Sequence, residues 1–224
     1  DLKQHTFEII VVDDGSFDQT ASLVNQFHDE RIKLILIGGN RGKGFAVWKG
    51  LSKARFDAAL FTDADLSTPI EDLERFLPHI ENHDVIIGSR NLPTSVITKP
   101  QPFLRSRLGK TFPFLTKWIA LPEIFDSQCG FKLFNRKAIT MITRYQTIND
   151  FGFDVEILYI CKKANLTIKE IGVHWGNAEG SKVRVIHDSI RMFLDLFRVR
   201  LNDLCGKYQV SSNAHTTDPS IPPH

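Results

Sequence analysis

The chain has 224 residues, 42% of them apolar, which suits a soluble core of one domain, expected over residues 1–210. Its 28 Lys and Arg against 26 Asp and Glu leave a net charge of +2, which gives no ground for a nucleic-acid partner, and none is expected. Cys129, Cys161 and Cys205 are odd in number and widely scattered, which argues against a disulfide framework or a zinc site and for a reducing, cytoplasmic setting.

No window is apolar enough to span a bilayer, and the N-terminus lacks a signal-peptide pattern. The chain begins with Asp1 and runs at once into a strand, so the front of a longer protein is expected to be missing. Residues 8–12 (EIIVV) form a β-branched run stopped by Asp13, Asp14, Gly15 and Ser16, a buried strand and a turn. A helix is predicted over residues 21–28, with Asp18 and Thr20 as candidate N-caps, then a second strand over residues 32–37. The loop GGNRGKG (residues 38–44) breaks it, and a helix follows over residues 45–54. A third strand, residues 58–62, delivers Asp63, Ala64 and Asp65 at its end. Another helix (residues 70–80) and strand (residues 84–87) extend the alternation.

Such a rhythm predicts an α/β fold, a mainly parallel Rossmann-like sheet with helices on both faces and its site at the strand carboxyl ends. Residues 91–122 then contain no acid but carry Lys99, Arg105, Arg107, Lys110 and Lys117 among Phe103, Phe112, Phe114 and Trp118. That basic, aromatic surface is expected to meet a membrane interface peripherally. A loop at residues 126–131, a short strand at 132–134, a helix at 153–164 and a strand at 166–174 come next. Ile186, Ile190, Phe193, Phe197, Leu201 and Leu204 recur every three or four residues and mark an amphipathic helix. Its stripe is expected to pack on the domain's own sheet, with membrane contact as the alternative. The polar, Pro-containing tail, residues 211–224, reads as disordered.

Two carboxylates one residue apart at a strand end can face the same side, which places Asp63 and Asp65 together. Such a pair suits a hard divalent cation, Mg2+ or Mn2+, that keeps positions open for substrate phosphates; the plain alternative is a helix cap. Asp13 and Asp14 end an earlier strand on the same edge, where they can meet a base or ribose, though an Asx turn with Gly15 suits one of them. The glycine loop lets backbone approach a diphosphate beside Lys43 or Arg41, but it is not a P-loop, since Gly44 stands where Ser or Thr would follow.

Together EIIVVDDGSFDQT, GGNRGKG, FTDADLSTP, GSR, DSQCGFKLF, FGFDVEI and VHWGNAEGSKV resemble glycosyltransferase family 2, over residues 7–205. Within it the sequence is similar to the dolichyl-phosphate β-glucosyltransferases and polyprenyl-phosphate mannosyltransferases, and closer to the glucosyl branch. The resemblance implies the glycosyltransferase-A fold and inverting transfer of a hexose from UDP-glucose or GDP-mannose to a polyprenyl phosphate at the cytoplasmic face of a membrane. It implies nucleoside contacts at Asp13 and Asp14, metal at Asp63 and Asp65, and an acceptor-loop acid at Asp126 with Gln128 beside it. It also implies donor-phosphate contacts at Ser181 and Lys182, and an acceptor phosphate at Arg105 or Arg107.

One departure stands out: the family opens with a strand ending in a Pro-x-Tyr-Asn-Glu type segment, which this sequence lacks. That strand lies inside the sheet, so a gap about 4.8 Å wide with unpaired backbone groups is expected. His174, Trp175 and Cys129 are read as packed, and Glu156 as a helix-dipole charge or an acceptor contact. Two rivals remain open on the residues: a haloacid-dehalogenase-type phosphohydrolase, whose Asp-x-Asp belongs after a first strand rather than a third, and a protein that binds a nucleotide sugar without transferring it.

Overall fold

The computed structural model describes residues 6–99, 116, 119–176 and 185–209. Among these residues three ladders are parallel. The first joins β1 (Ile9–Asp13) to β2 (Ile32–Leu36), either side of α1 (Thr20–Asn25). Gln19 is the N-cap of α1 and makes no side-chain cap; Asp18 instead takes the Thr20 N–H at 2.9 Å. After α2 (Lys43–Lys53) comes β3 (Ala58–Thr62). The helix predicted over residues 70–80 is broken into a 3-10 turn, a single turn α3 (Leu73–Phe76) and another 3-10 turn holding Pro78, which has no N–H to continue the ladder.

β4 (Val85–Ser89) pairs in parallel with β7 (Ile168–Gly172), and β5 (Val96–Lys99) with β8 (His174–Gly176). β5 was not predicted, and the single strand predicted over residues 166–174 is divided at Val173, where the chain passes from β4 to β5. Against the expected parallel pattern, β6 (Phe131–Asn135) runs antiparallel between β3 and β4, giving the order β3-β6-β4-β7. It is followed directly by α4 (Arg136–Tyr145), then α5 (Phe153–Lys163) and α6 (Val185–Leu204).

Alternation along β4 and β6 divides the core. Val85, Ile87 and Phe134 face α4, α5 and α6, whereas Ile86, Phe131 and Leu133 meet Phe76 and Val173 on the other side. β4 is buried along its whole length, as a strand covered on both faces must be. In contrast, β1 and β3 are mostly half-buried. Among the described residues β1 pairs only with β2 and β3 only with β6, so each has an edge with no ladder. The tail 211–224 lies outside the described residues.

Candidate active site

The glycine loop is held from both sides. The Asp14 carboxylate accepts the Arg41 and Gly42 N–H groups, each at 2.8 Å, and Asp13 Oδ1 accepts the Ser16 N–H at 2.7 Å. Asp13 thus bonds three residues on rather than the two of an Asx turn, with Gly15 at φ 84° between them, and both acids expected at the nucleoside carry bonds within the chain. Gly44 opens α2 with Ile148 O and Phe153 Cβ each 2.6 Å from where a Cβ would stand, which explains why Ser or Thr does not occur there.

The same helix start places Lys43 Nζ 2.8 Å from Asp63 Oδ1. Burial opposes the charge on Lys43, but Asp154, Asp63 and Asp65 around it hold its pKa above the ordinary lysine value. Asp63 sits at the end of β3, its N–H donating to Gly130 O at 3.1 Å, and the turn closes from Leu66 N–H to Asp63 O at 3.2 Å. Leu66 has φ 49°, a left-handed conformation uncommon for a branched apolar residue and typical of functional turns. Asp65 is exposed and spends one oxygen, Oδ1, on the Ser67 N–H at 2.9 Å. Among the described residues no three His, Cys, Asp or Glu side chains gather as a metal cage. The donors present fit a hard cation held by one or two carboxylates and otherwise by substrate phosphates, as magnesium or manganese is.

Asp126 is fully buried and clamped by Arg90: Nε to Oδ2 at 2.7 Å, Nη2 to Oδ1 at 2.8 Å, and the Arg90 N–H to Oδ2 at 2.9 Å. Burial alone would raise its pKa, yet the Arg90 charge and hydrogen bonds hold it below the usual carboxylate range. Glu170 accepts the Phe125 and Asp126 N–H groups at 2.9 and 2.7 Å and so fixes the loop. Gln128 donates its backbone N–H to Asp126 Oδ1 at 3.2 Å, and its side chain lies against Met192 Sδ at 3.6 Å. Between this loop and Lys43 lies a buried ion pair, Lys132 with Asp154, in which Lys132 also donates to Cys129 O at 2.7 Å. Burial pushes the Asp154 carboxyl up, with Lys132 and Lys43 pulling against it.

The structure thus joins Asp14, Lys43, Asp63 and Asp65 along one edge, with Asp126 reaching them through Lys132 and Asp154. Arg105, Arg107, Ser181 and Lys182 lie outside the described residues. Three partners were invisible in sequence. Arg90 and Lys132 find their carboxylates only through the antiparallel insertion of β6, and Asp72 binds His174 across 102 positions, Oδ1 to Nδ1 at 2.6 Å and Oδ2 to the His174 N–H at 2.7 Å. His174 is half-exposed, and Gly176 N–H reaches Ser67 O at 2.9 Å, so this pair stands beside the Asp65 turn rather than in the core. Cys129 is buried as expected, its thiol pushed up to about 12 by burial and by the Asp126 charge. Glu156 stands in the first turn of α5, in keeping with the helix-dipole reading; fully buried, it accepts the Thr147 and Ile148 N–H groups and the Tyr208 hydroxyl at 2.7 Å. A cavity of about 500 Å³ lined by Tyr159, Lys162, Lys163 and Arg200 shares no residue with this edge.

The profile of the family described as glycosyl transferase family 2 matches residues 2–142. A dolichyl-phosphate beta-glucosyltransferase of Dictyostelium discoideum is 37% identical over 222 residues, 95% of this chain and 68% of that protein. Those of Saccharomyces cerevisiae and Homo sapiens are 35% and 33% identical over 91% and 92% of this chain, each match spanning 67% of the relative. Among solved structures, glucosyl-3-phosphoglycerate synthase from Mycobacterium tuberculosis in complex with Mn2+ and uridine-diphosphate-glucose superposes with TM-score 0.61 at 17% identity, covering 88% of this chain and 67% of that one. Mannosyl-3-phosphoglycerate synthase from Rubrobacter xylanophilus gives 0.62 at 18% over 96% and 68%. The fold is that of the glycosyltransferase-A class, an α/β arrangement in which Asp13 and Asp63 stand at the carboxyl ends of β1 and β3. The chain belongs to glycosyl transferase family 2.

Proposed function

We propose that this chain is an inverting glucosyltransferase that moves glucose from UDP-glucose to dolichyl or another polyprenyl phosphate, peripherally at the cytoplasmic face of a membrane. The observation that carries the reading is the edge at β3, where Lys43 is fixed to Asp63 beside an exposed Asp65. The names of the relatives supply the transferred sugar and the acceptor, and the donor is taken from the UDP-glucose bound in a solved structure of the same fold.

In this reading Asp65, with Asp63 beside it, would hold a divalent ion. The ion, when bound, offsets charge growing on the diphosphate. Lys43, cationic and already placed by Asp63, adds to that stabilisation in a partly water-excluded setting. A phosphate monoester is largely dianionic at neutral pH, its second pKa being about 6, so the acceptor needs little general-base help. Its oxygen attacks the anomeric carbon, forming the new C–O bond as the bond to the UDP β-phosphate breaks on the opposite face. UDP leaves, and the sugar becomes β-linked. Asp126, with both oxygens engaged by Arg90, acts by holding the acceptor loop. Gln128 lies next to it. Asp13 and Asp14 shape the nucleoside end, while Ser181, Lys182 and the pair Arg105 and Arg107 are assigned to donor and acceptor phosphates on the resemblance alone.

The test is transfer of label from UDP-glucose into a lipid extract, with wild type against Asp65→Asn. GDP-mannose offered in parallel decides the sugar, and phosphate release from simple phosphomonoesters without any nucleotide sugar would favour a phosphohydrolase. Calorimetric binding of UDP-glucose without a lipid product would leave a binding protein.

A further inference from the structure

The amphipathic helix α6 does not hide its apolar stripe. Met192, Leu196, Val199 and Asn202 face inward, but Ile190, Phe193, Leu194, Phe197, Leu201 and Leu204 are exposed, Leu194 and Leu201 at 59% and Leu204 at 80%. The expectation that the stripe packs on the domain's own sheet is overturned for Ile190, Phe193, Phe197, Leu201 and Leu204, because the inward face is formed by the residues between them; the Ile186 side chain lies outside those described, and Leu194 joins the exposed set. At 3.6 residues per turn the six fall within an arc of about 100°, along roughly 21 Å of axis.

The charges beside the stripe have one sign. Arg191 and Arg198 flank it on one side and Arg200 on the other, all exposed. Both acids of the segment, Asp195 and Asp203, lie on the inward half. Every exposed residue of 190–204 is therefore apolar or arginine. Arg191 and Arg198 have carboxylates only at 3.7 and 4.0 Å, pairs that lose little on separation because both guanidinium groups are more than half exposed. Arg200 donates to the Tyr159 hydroxyl at 2.8 Å, which anchors its base while leaving its charge.

We propose that this face of α6 docks on the surface of an anionic lipid bilayer, with the axis in the membrane plane, the six apolar side chains among the upper acyl chains and the arginines at headgroup level. A helical stretch with an apolar arc bounded on both sides by cations, and with no exposed acid from residue 190 to 204, has the composition of an interfacial helix. A second copy of the chain would meet the same arginines across a two-fold contact, like charge against like. The inference deepens the proposed function and rests on its reading of a membrane-lipid acceptor. Binding is therefore measured without substrates, and transfer is measured separately with the acceptor in detergent micelles.

Cys205 follows the stripe and is exposed, while Cys129 and Cys161 are buried, so a nitrobenzoxadiazole fluorophore is placed on Cys205. Vesicles of phosphatidylcholine with phosphatidylserine should shift its emission to the blue, with much weaker binding to phosphatidylcholine alone. Phe197→Asp with Leu201→Asp should lower partitioning at least about tenfold, with circular dichroism and melting unchanged because both side chains are exposed. Arg191→Gln and Arg198→Gln should each weaken binding to anionic vesicles about fivefold and leave the neutral ones alone. An emission indifferent to vesicles in the folded protein overturns the proposal. So does a shift that follows protein concentration without lipid, which would make the face a contact between copies. Vesicle binding with no transfer in micelles would sink the proposed function and leave this inference standing.

Discussion

Replacing Gly130 by alanine tests whether the acceptor loop and the carboxylate edge are one mechanical unit. A Cβ at this position overlaps Asp63 Oδ2 and Cγ and stands 2.9 Å from Asp63 Oδ1. The backbone cannot yield easily, since Gly130 O accepts the Asp63 N–H and Phe131 is buried in the sheet. The carboxylate must retreat instead, by about 1 Å, and the Lys43 ammonium loses its 2.8 Å partner. A misplacement of about 1 Å at a reacting centre costs about a hundredfold in rate, or about 2.7 kcal/mol in the barrier. Stability should fall less, by about 1 kcal/mol, because Asp63 is half-buried and can turn outward. The assay is label transfer from UDP-glucose at saturating donor, beside a thermal melt of the same preparation. Wild-type kcat in a folded Gly130→Ala protein would refute the coupling of this loop to Asp63.

Arg90→Ala leaves the buried Asp126 without its guanidinium and should cost about 3–5 kcal/mol, read from a lower urea midpoint; a loss under about 1 kcal/mol would refute the clamp. Because the folded pKa of Asp126 is depressed, the stabilisation it confers is complete above its unfolded value near pH 4 and disappears as pH falls through the lower folded value, so acid unfolding in Arg90→Ala should be less steep there. Lys132→Met combined with Asp154→Leu should destabilise less than either change alone, since each single change strands a buried charge; additive losses would argue against a coupled pair. Asp14→Ala frees the Arg41 and Gly42 N–H groups and should raise the KM for the nucleotide sugar about tenfold or more with a smaller change in kcat, whereas an unchanged KM would detach this loop from the donor.

What the sequence disclosed was whatever depends on neighbours along the chain. β3 lies over residues 58–62 as predicted, and the β-branched runs before Asp13 and at residues 32–36 are strands because their periodicity is local. The helix at 136–145 escaped notice although Asn135 caps it through the Ala138 N–H at 3.0 Å and Ala138, Ile139 and Ile142 make its buried face; the strand residues before it merge into the same apolar pattern. The direction of β6 is a long-range choice that no local pattern encodes. For the same reason Asp63, just past the end of a strand, and Lys43, in the glycine loop where a helix starts, were legible, while the Arg90 clamp, the Lys132 pair and the Asp72 contact to His174 required the tertiary fold. The exposure of α6 was misjudged on physical grounds: periodicity announces two faces but not which one the domain covers.

The most direct measurement offers labelled UDP-glucose and dolichyl phosphate to the protein with manganese or magnesium, then counts the lipid extract for wild type, for wild type in chelator and for Asp65→Asn. Asp65 is exposed, so the variant should melt with wild type while its transfer falls about a thousandfold, the scale of several kcal/mol of lost charge stabilisation, and chelator should match it. Lipid labelling that persists undiminished in both the chelated enzyme and the variant would contradict the account.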